Sequence, residues 1–516
     1  MEATSPSGIA ERPSDSRLER RSLGSLALGL VFMLVIWARF PHTFEASDPW
    51  AYARRAHAIT QGTYLERAGD HPFDQRIGVS FPVAAVYATL GVTPRSTHTV
   101  PLLAGLLLLA WVWVVLPDAR SRGFGVLLAA TSVPLLEATA HLFPDLIATV
   151  PMLASLTLLW RRSELAGRPE GLWYGALAAA IWMLAFLAKE TAVWALPVFA
   201  VCAGLDLAAR RGDLLRRFHV PAVACGAVLG AAYLGGSALA YGNPFARFSG
   251  IERLADGHLW SRGGPPVVAR LLDEPFAFFE GELGTVCVLA LLSVLVLPRQ
   301  LRFWAYLGGF FVLMLWLGSA SLTAYRPLPL FPRMALPALG PLLVIGGFFA
   351  AWLTRRSTHR LALPIGLAIV GLLTFHPVRT FVASWVKDPE QKALRDLREE
   401  LAKQPGQSAL LVTADSRSAE FVPIYFGFRI PENLVVTSAQ DVTDAEIAGA
   451  DVVFLYIHSS RSAFLARAYG LPSHDRALRA VKAPRIFGEN FAELFRAARP
   501  FAFHAADLRA ADGPAS

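Results

Sequence analysis

In this 516-residue chain the ionisable side chains best placed to do chemistry stand at the ends of long apolar stretches, not within them. Asp48 follows the first stretch, and Asp145 lies in the turn His141-Leu-Phe-Pro-Asp145 between two others. Lys189 and Glu190 adjoin at a further junction, and Arg333 leads into a late stretch. An acid at such a boundary can take a proton from an incoming hydroxyl. Cations beside it can steady negative charge gathering on a departing phosphate. Asp48 with Arg76, Lys189 and Arg333 meets both needs at headgroup depth, where a lipid-linked phosphate carries its reactive carbon. His71, Asp74, His141 and Glu190 are the candidate supporting groups or ligands for a divalent metal, although no H-E-x-x-H or comparable spacing specifies one.

Each of these residues also has a plainer role. Ser47-Asp48-Pro49 is a strong helix start, with Asp as cap and Pro in the first turn. Asp145 after Pro144 complements a helix dipole. Lys189 and Glu190 can snorkel as a solvated pair, and Arg333 can anchor a span at the interface. Their common position at one set of stretch ends favours a shared site over separate structural duties.

The elements that must position them are membrane spans. Hydrophobic residues make up 54% of the chain and charged residues 17%, against about 45–50% and about 25% in soluble domains. A soluble enzyme or a disordered chain is excluded as the main body. Stretches long enough to cross about 30 Å of hydrocarbon lie at 23–40, 98–116, 123–140, 145–160, 172–188, 191–208, 219–241, 283–298, 303–320, 334–353 and 361–376. A further apolar segment, 77–92, is short and contains Pro82.

Arginines decide that segment. The net charge is +8, from 48 Lys+Arg and 40 Asp+Glu, and residues 377–516 hold 17 of each sign, so the excess lies in 1–376. If 77–92 does not cross, 18 arginines, from Arg12 to Arg360, fall on the side of the N-terminal tail 1–22. That is the positive-inside asymmetry. It predicts about eleven spans, a cytoplasmic tail, an outer loop 41–97 holding 77–92 as an interfacial or re-entrant helix, and an outer region 377–516. The basic balance is a topology signal and does not call for nucleic acid. Cys202, Cys225 and Cys287 sit in apolar runs without metal or disulfide spacing. The run 23–40 lacks a cleavage site and reads as a retained first span.

Residues 377–516 change character. Segments 408–413, 434–437 and 451–458 are short β-branched apolar strands, with helical patterns at 416–425, 443–448 and 460–469. The alternation predicts a small extracytoplasmic α/β domain with a partly parallel sheet. No G-x-G-x-x-G follows these strands, so no nucleotide site is expected there.

At Ser47-Asp48-Pro49-Trp50-Ala51-Tyr52-Ala53, Gly62-Thr63-Tyr64, Arg76-Ile77-Gly78, Pro82, Tyr87, Leu90-Gly91, Pro144-Asp145, Ala188-Lys189-Glu190 and the stretch Tyr325 through Pro337, the sequence resembles the GT-C superfamily of polytopic glycosyltransferases. That group includes protein O-mannosyltransferases, lipid A aminoarabinose transferases and RgtA-like enzymes. The likeness runs over roughly residues 20–350. It departs from the pattern where Pro49 replaces the second acid of an Asp-Glu pair and Met334 a Tyr. The resemblance implies Asp48 as general base, Lys189 and Arg333 on a polyprenyl phosphate, and Asp145 organising acceptor or base. The implied reaction is inverting transfer of a hexosyl or pentosyl unit to a lipid, glycan or protein acceptor at the outer face of the cell (inner) membrane. Loop 242–281 is the natural place for acceptor specificity. Two other classes remain open: a lipid or polysaccharide exporter, which would need charges deep in the spans and internal pseudosymmetry, and a non-catalytic membrane scaffold.

Overall fold

In the computed structural model the described residues are 16–39, 48–67, 72–168, 170–257, 296–319, 332–356, 397–403, 405–413, 426–438, 441–457 and 493–498, with a few isolated positions between them. The predicted span 361–376, most of the predicted span 283–298, the helical pattern 460–469 and nearly all of 416–425 lie outside these residues.

The main helices up to Arg356 follow in chain order. They are α1 (Ser16–Arg39), α2 (Asp48–Thr60), α3 (Ile77–Leu90), α4 (Thr99–Val115), α5 (Ala119–Ala130), α6 (Val133–Ala140) and α7 (Pro144–Trp160). After them come α8 (Gly171–Ala188), α9 (Ala195–Ala208), α10 (Val220–Tyr241), α11 (Ala246–Gly257), α12 (Arg302–Leu317) and α13 (Leu336–Arg356). Among the described residues, seven helical stretches are long and apolar enough to cross a membrane, and the pair α5 and α6 makes an eighth if counted as one broken span. The chain is a multi-pass membrane protein. The predicted span 123–140 is therefore not one straight helix: it bends by 56° between α5 and α6. Pro134 sits in the first turn of α6, where its missing N–H leaves no intrahelical hydrogen bond unmade and a new helix starts readily.

Two compact units divide the chain. The first comprises 1–40, 65–81 and 100–379, and the second comprises 41–64, 82–99 and 380–516. In the first, α13 is the central helix, buried along its candidate span, and it packs on α5, α7 and α12. Backbone approach there is close: a Cβ on Gly347 would lie 2.5 Å from the Gly125 Cα, the small-residue contact typical of membrane helices. By contrast α10 presents Val223 and Val228 outward, as a lipid-facing helix should.

Helices α7 and α8 pack against each other, and the start of α7 meets the end of α8 through Asp145 and Lys189. The far ends of α7 and α9 are tied separately. Just past α7, Arg162 forks onto buried Asp206 of α9 at 2.5 and 3.2 Å, and His219 Nε2 stands 3.0 Å from the same carboxylate. At 1.5 Å per residue the two ends of α9 are about 20 Å apart, so this cluster is distinct from the residues at its start.

The second unit contains a four-stranded sheet, order β2-β1-β3-β4, from β1 (Ala409–Thr413), β2 (Leu434–Ser438), β3 (Val452–Ile457) and β4 (Glu493–Ala498). Strand β1 runs parallel to both neighbours, with Leu411 opposite Val436 and Phe454, and β3–β4 is antiparallel. The three predicted strands are thus present, and the sheet is partly parallel. The continuous apolar run of β1 fits a strand covered on both faces; Leu411 packs with Leu397, Val422 and Phe454. The pattern at 443–448 becomes α14 (Asp444–Gly449), opened by a capping box between Thr443 and Glu446. This unit also takes α2 from the loop 41–97.

Candidate active site

Asp145 occupies the first turn of α7, behind Pro144, and its backbone carbonyl accepts a hydrogen bond from the Thr149 hydroxyl at 2.7 Å. It is 4% exposed. Lys189 stands where α8 ends: its N–H closes the last turn onto Ala185, and the backbone then turns extended, at φ −153° and ψ 139°, before a short helix Glu190–Trp194. That break points the lysine across to α7, where Nζ donates to Asp145 Oδ1. Arg333, from the short helix Pro332–Ala335, brings Nε to 3.9 Å from Asp145 Oδ2, with its guanidinium 4.1 Å over the Phe143 ring. Two cations from distant parts of the sequence thus share one buried carboxylate.

Beside Lys189, Glu190 is held by two arginines. Arg76, between the turn Pro72–Gln75 and α3, forks onto it, with Nε donating to Oε2 at 3.1 Å and Nη2 to Oε1. Arg247 of α11 donates from Nη2 to Oε2 at 3.0 Å and from Nη1 to the Phe186 carbonyl at 2.7 Å. Gly78 permits this approach. A Cβ on it would lie 2.5 Å from the Ala188 nitrogen, so α3 can start against the end of α8 only with glycine there.

The structure therefore brings together Asp145, Lys189 and Arg333 in one cluster, and Arg76 and Glu190 in its neighbour. Asp74 is buried in the turn before Arg76, and His141 is buried with its ring 5.4 Å from Phe143. Asp48 opens α2 in the second unit; its side chain lies outside the described ones, and His71 is wholly outside. Arg247 is the residue that sequence reasoning missed. Nothing in the pattern of the loop 242–281 pointed from Arg247 to Glu190.

Among the described residues, no three His, Cys, Asp or Glu side chains gather where a metal could be held. The carboxylates are instead engaged by nitrogen cations, and bidentate or paired contacts of this kind are strong where water is excluded. A cluster in which cations outnumber carboxylates suits an anionic oxygen ligand better than a cationic one.

No known family profile matches the sequence, and no curated relative does. Solved structures do match. The apo crystal structure of ArnT from Cupriavidus metallidurans superposes with a TM-score of 0.57 at 13% identity, over 96% of this chain and 99% of that one. The same protein bound to undecaprenyl phosphate gives 0.55 at 12% identity, over 92% and 98%. Near end-to-end coverage with so little identity carries the architecture alone: the chain has the fold of these ArnT structures.

Proposed function

We propose that this protein is an inverting glycosyltransferase that takes a hexosyl or pentosyl unit from a polyprenyl-phosphate donor and moves it to a lipid, glycan or protein acceptor outside the cytoplasm. The observation that carries the reading is the gathering of Arg76, Lys189, Arg247 and Arg333 around Asp145 and Glu190 at helix ends. It occurs on a fold shared with an ArnT that binds undecaprenyl phosphate. The topology that goes with it is the one the arginines predict: N-terminus cytoplasmic, loop 41–97 and region 377–516 outside the inner membrane.

In the proposed reaction the Asp48 carboxylate takes the proton of the acceptor hydroxyl as its oxygen bonds to the anomeric carbon. The carbon–oxygen bond to phosphate breaks, and its electron pair leaves with the polyprenyl phosphate. Lys189, Arg76 and Arg333 stabilise that charge, and Asp145 and Glu190 keep the cations in place, so little reorganisation accompanies the step. Cations prepositioned by carboxylates also bind product less tightly than bare ones, which favours its release.

The test is mass-spectrometric profiling of envelope lipids and glycans from a deletion strain, complemented with the wild-type gene or with Asp48→Asn. Loss of one sugar increment, restored by wild type and not by the variant at equal membrane level, supports the reading. Unchanged profiles in the deletion strain, where the parent makes the protein, contradict it and favour the scaffold.

A further inference from the structure

Phe428 holds a backbone conformation that bulky residues rarely adopt. Its φ is +60°, directly after Gly427 at +62°. The turn around it is well closed: the Phe428 N–H donates to the Pro423 carbonyl at 2.7 Å, Phe426 N–H to the same oxygen at 3.1 Å, and Arg429 N–H to the Phe426 carbonyl at 3.1 Å. Gly427 needs to be glycine twice over, since a Cβ there would also come within 3.0 Å of the Val92 carbonyl oxygen. At 428 glycine would also suit the backbone better. A phenylalanine kept in this conformation implies that its ring serves a purpose worth the strain.

The ring lies flat on His57 of α2, with centroids 4.3 Å apart and planes within 1°. It also packs against Trp50 and Ala53, both buried. Trp50, Ala53 and His57 fall at i, i+3 and i+7, one stripe of that helix, and the Arg54 guanidinium lies 4.3 Å from the Trp50 ring centroid. Helix α2 has 13 residues, a length at which an isolated helix is marginal in water. Its first residue is Asp48.

We propose that Phe428 is a positioning residue: it is the wedge by which the C-terminal α/β domain fixes α2, and with it the place of Asp48. The proposal rests on the reading of Asp48 as general base. It gives the domain a direct part in the reaction rather than a covering role. Phe428 touches no reacting atom; it acts through the helix.

The test uses the full chain with Phe428→Gly, which fits the turn and removes only the ring, and with Phe428→Tyr, which keeps the ring. Hydrogen exchange of the purified protein should show amides of 48–60 exchanging about tenfold or more faster in the glycine variant, while β1 and β2 keep their protection. In a deletion strain complemented at matched membrane levels, the sugar increment should fall to about a tenth or less with glycine and return with tyrosine. Unchanged exchange over 48–60 in the glycine variant overturns the wedge, as does faster exchange spread equally through the sheet. A deletion strain whose profile matches its parent overturns the glycosyltransfer reading, and so the catalytic purpose given to Phe428, whatever the exchange shows.

Discussion

Replacing Lys189 by Met removes one partner of a carboxylate that is 4% exposed. Breaking a buried pair in this way costs about 3–5 kcal/mol, because the charge left behind has lost its compensation. Arg333 remains 3.9 Å from the other carboxylate oxygen, so Asp145 keeps a second cation but loses a charge-assisted hydrogen bond of about 1.5–3 kcal/mol. The lower end of the range follows, about 3 kcal/mol or a hundredfold in the unfolding constant. The pair Lys189→Met with Asp145→Leu removes both charges and should fall within about 1 kcal/mol of wild type. The assay is equilibrium unfolding in mixed micelles across the double-mutant cycle, with an expected coupling of about 2 kcal/mol or more. A single variant as stable as wild type, or a coupling near zero, would show that Lys189 and Asp145 do not share a buried ion pair.

Four further outcomes are expected. Gly78→Val should push α3 off the end of α8, costing about 1–3 kcal/mol by overpacking and abolishing the sugar increment, read by unfolding and envelope profiling together. Asp206→Leu strands Arg162 and His219, at about 3 kcal/mol, but transfer per folded molecule should be unchanged, since the cluster lies at the far end of α9 from Glu190; equal loss of transfer would refute that separation. Burial tends to raise the Asp118 carboxyl, but hydrogen bonds from Arg355 and Ser121 outweigh it and hold it below the usual range. Its contribution is therefore present above the unfolded carboxylate value near about 4 and lost as pH falls through the folded one, so the stability gap between wild type and Asp118→Asn should be on the order of 1 kcal/mol or less at neutral pH and vanish in acid. Asp48→Asn should leave insertion and unfolding unchanged while lowering transfer about 10²–10⁴-fold, the usual worth of a general base.

Much of the architecture is legible in the sequence because bilayers impose coarse rules. A span needs about 20 apolar residues, and β1, β2 and β3 stand out as short β-branched runs between polar turns. The break at Thr131 and Ser132 was less visible, since mean hydropathy continues across it; Pro134 alone marked it. The charged residues were legible as a set at span ends, but their pairings were not. Lys189 finds Asp145 because α7 and α8 pack together, and sequence separation does not encode that. Arg247 escaped because α11 is short and polar, inside a loop whose own pattern says nothing of Glu190. Phe428 has no sequence signal at all, as left-handed backbone at a phenylalanine is a tertiary outcome.

In the proposed reaction the cations around Asp145 and Glu190 seat a lipid-borne phosphate. Native mass spectrometry of the detergent-solubilised protein, titrated with undecaprenyl phosphate and separately with uncharged undecaprenol, tests it without knowledge of sugar or acceptor. Binding should require the phosphate and weaken about tenfold or more in Arg333→Gln, the loss of one charge-assisted contact. Equal retention of the two lipids, or undiminished binding in the variant, would contradict it.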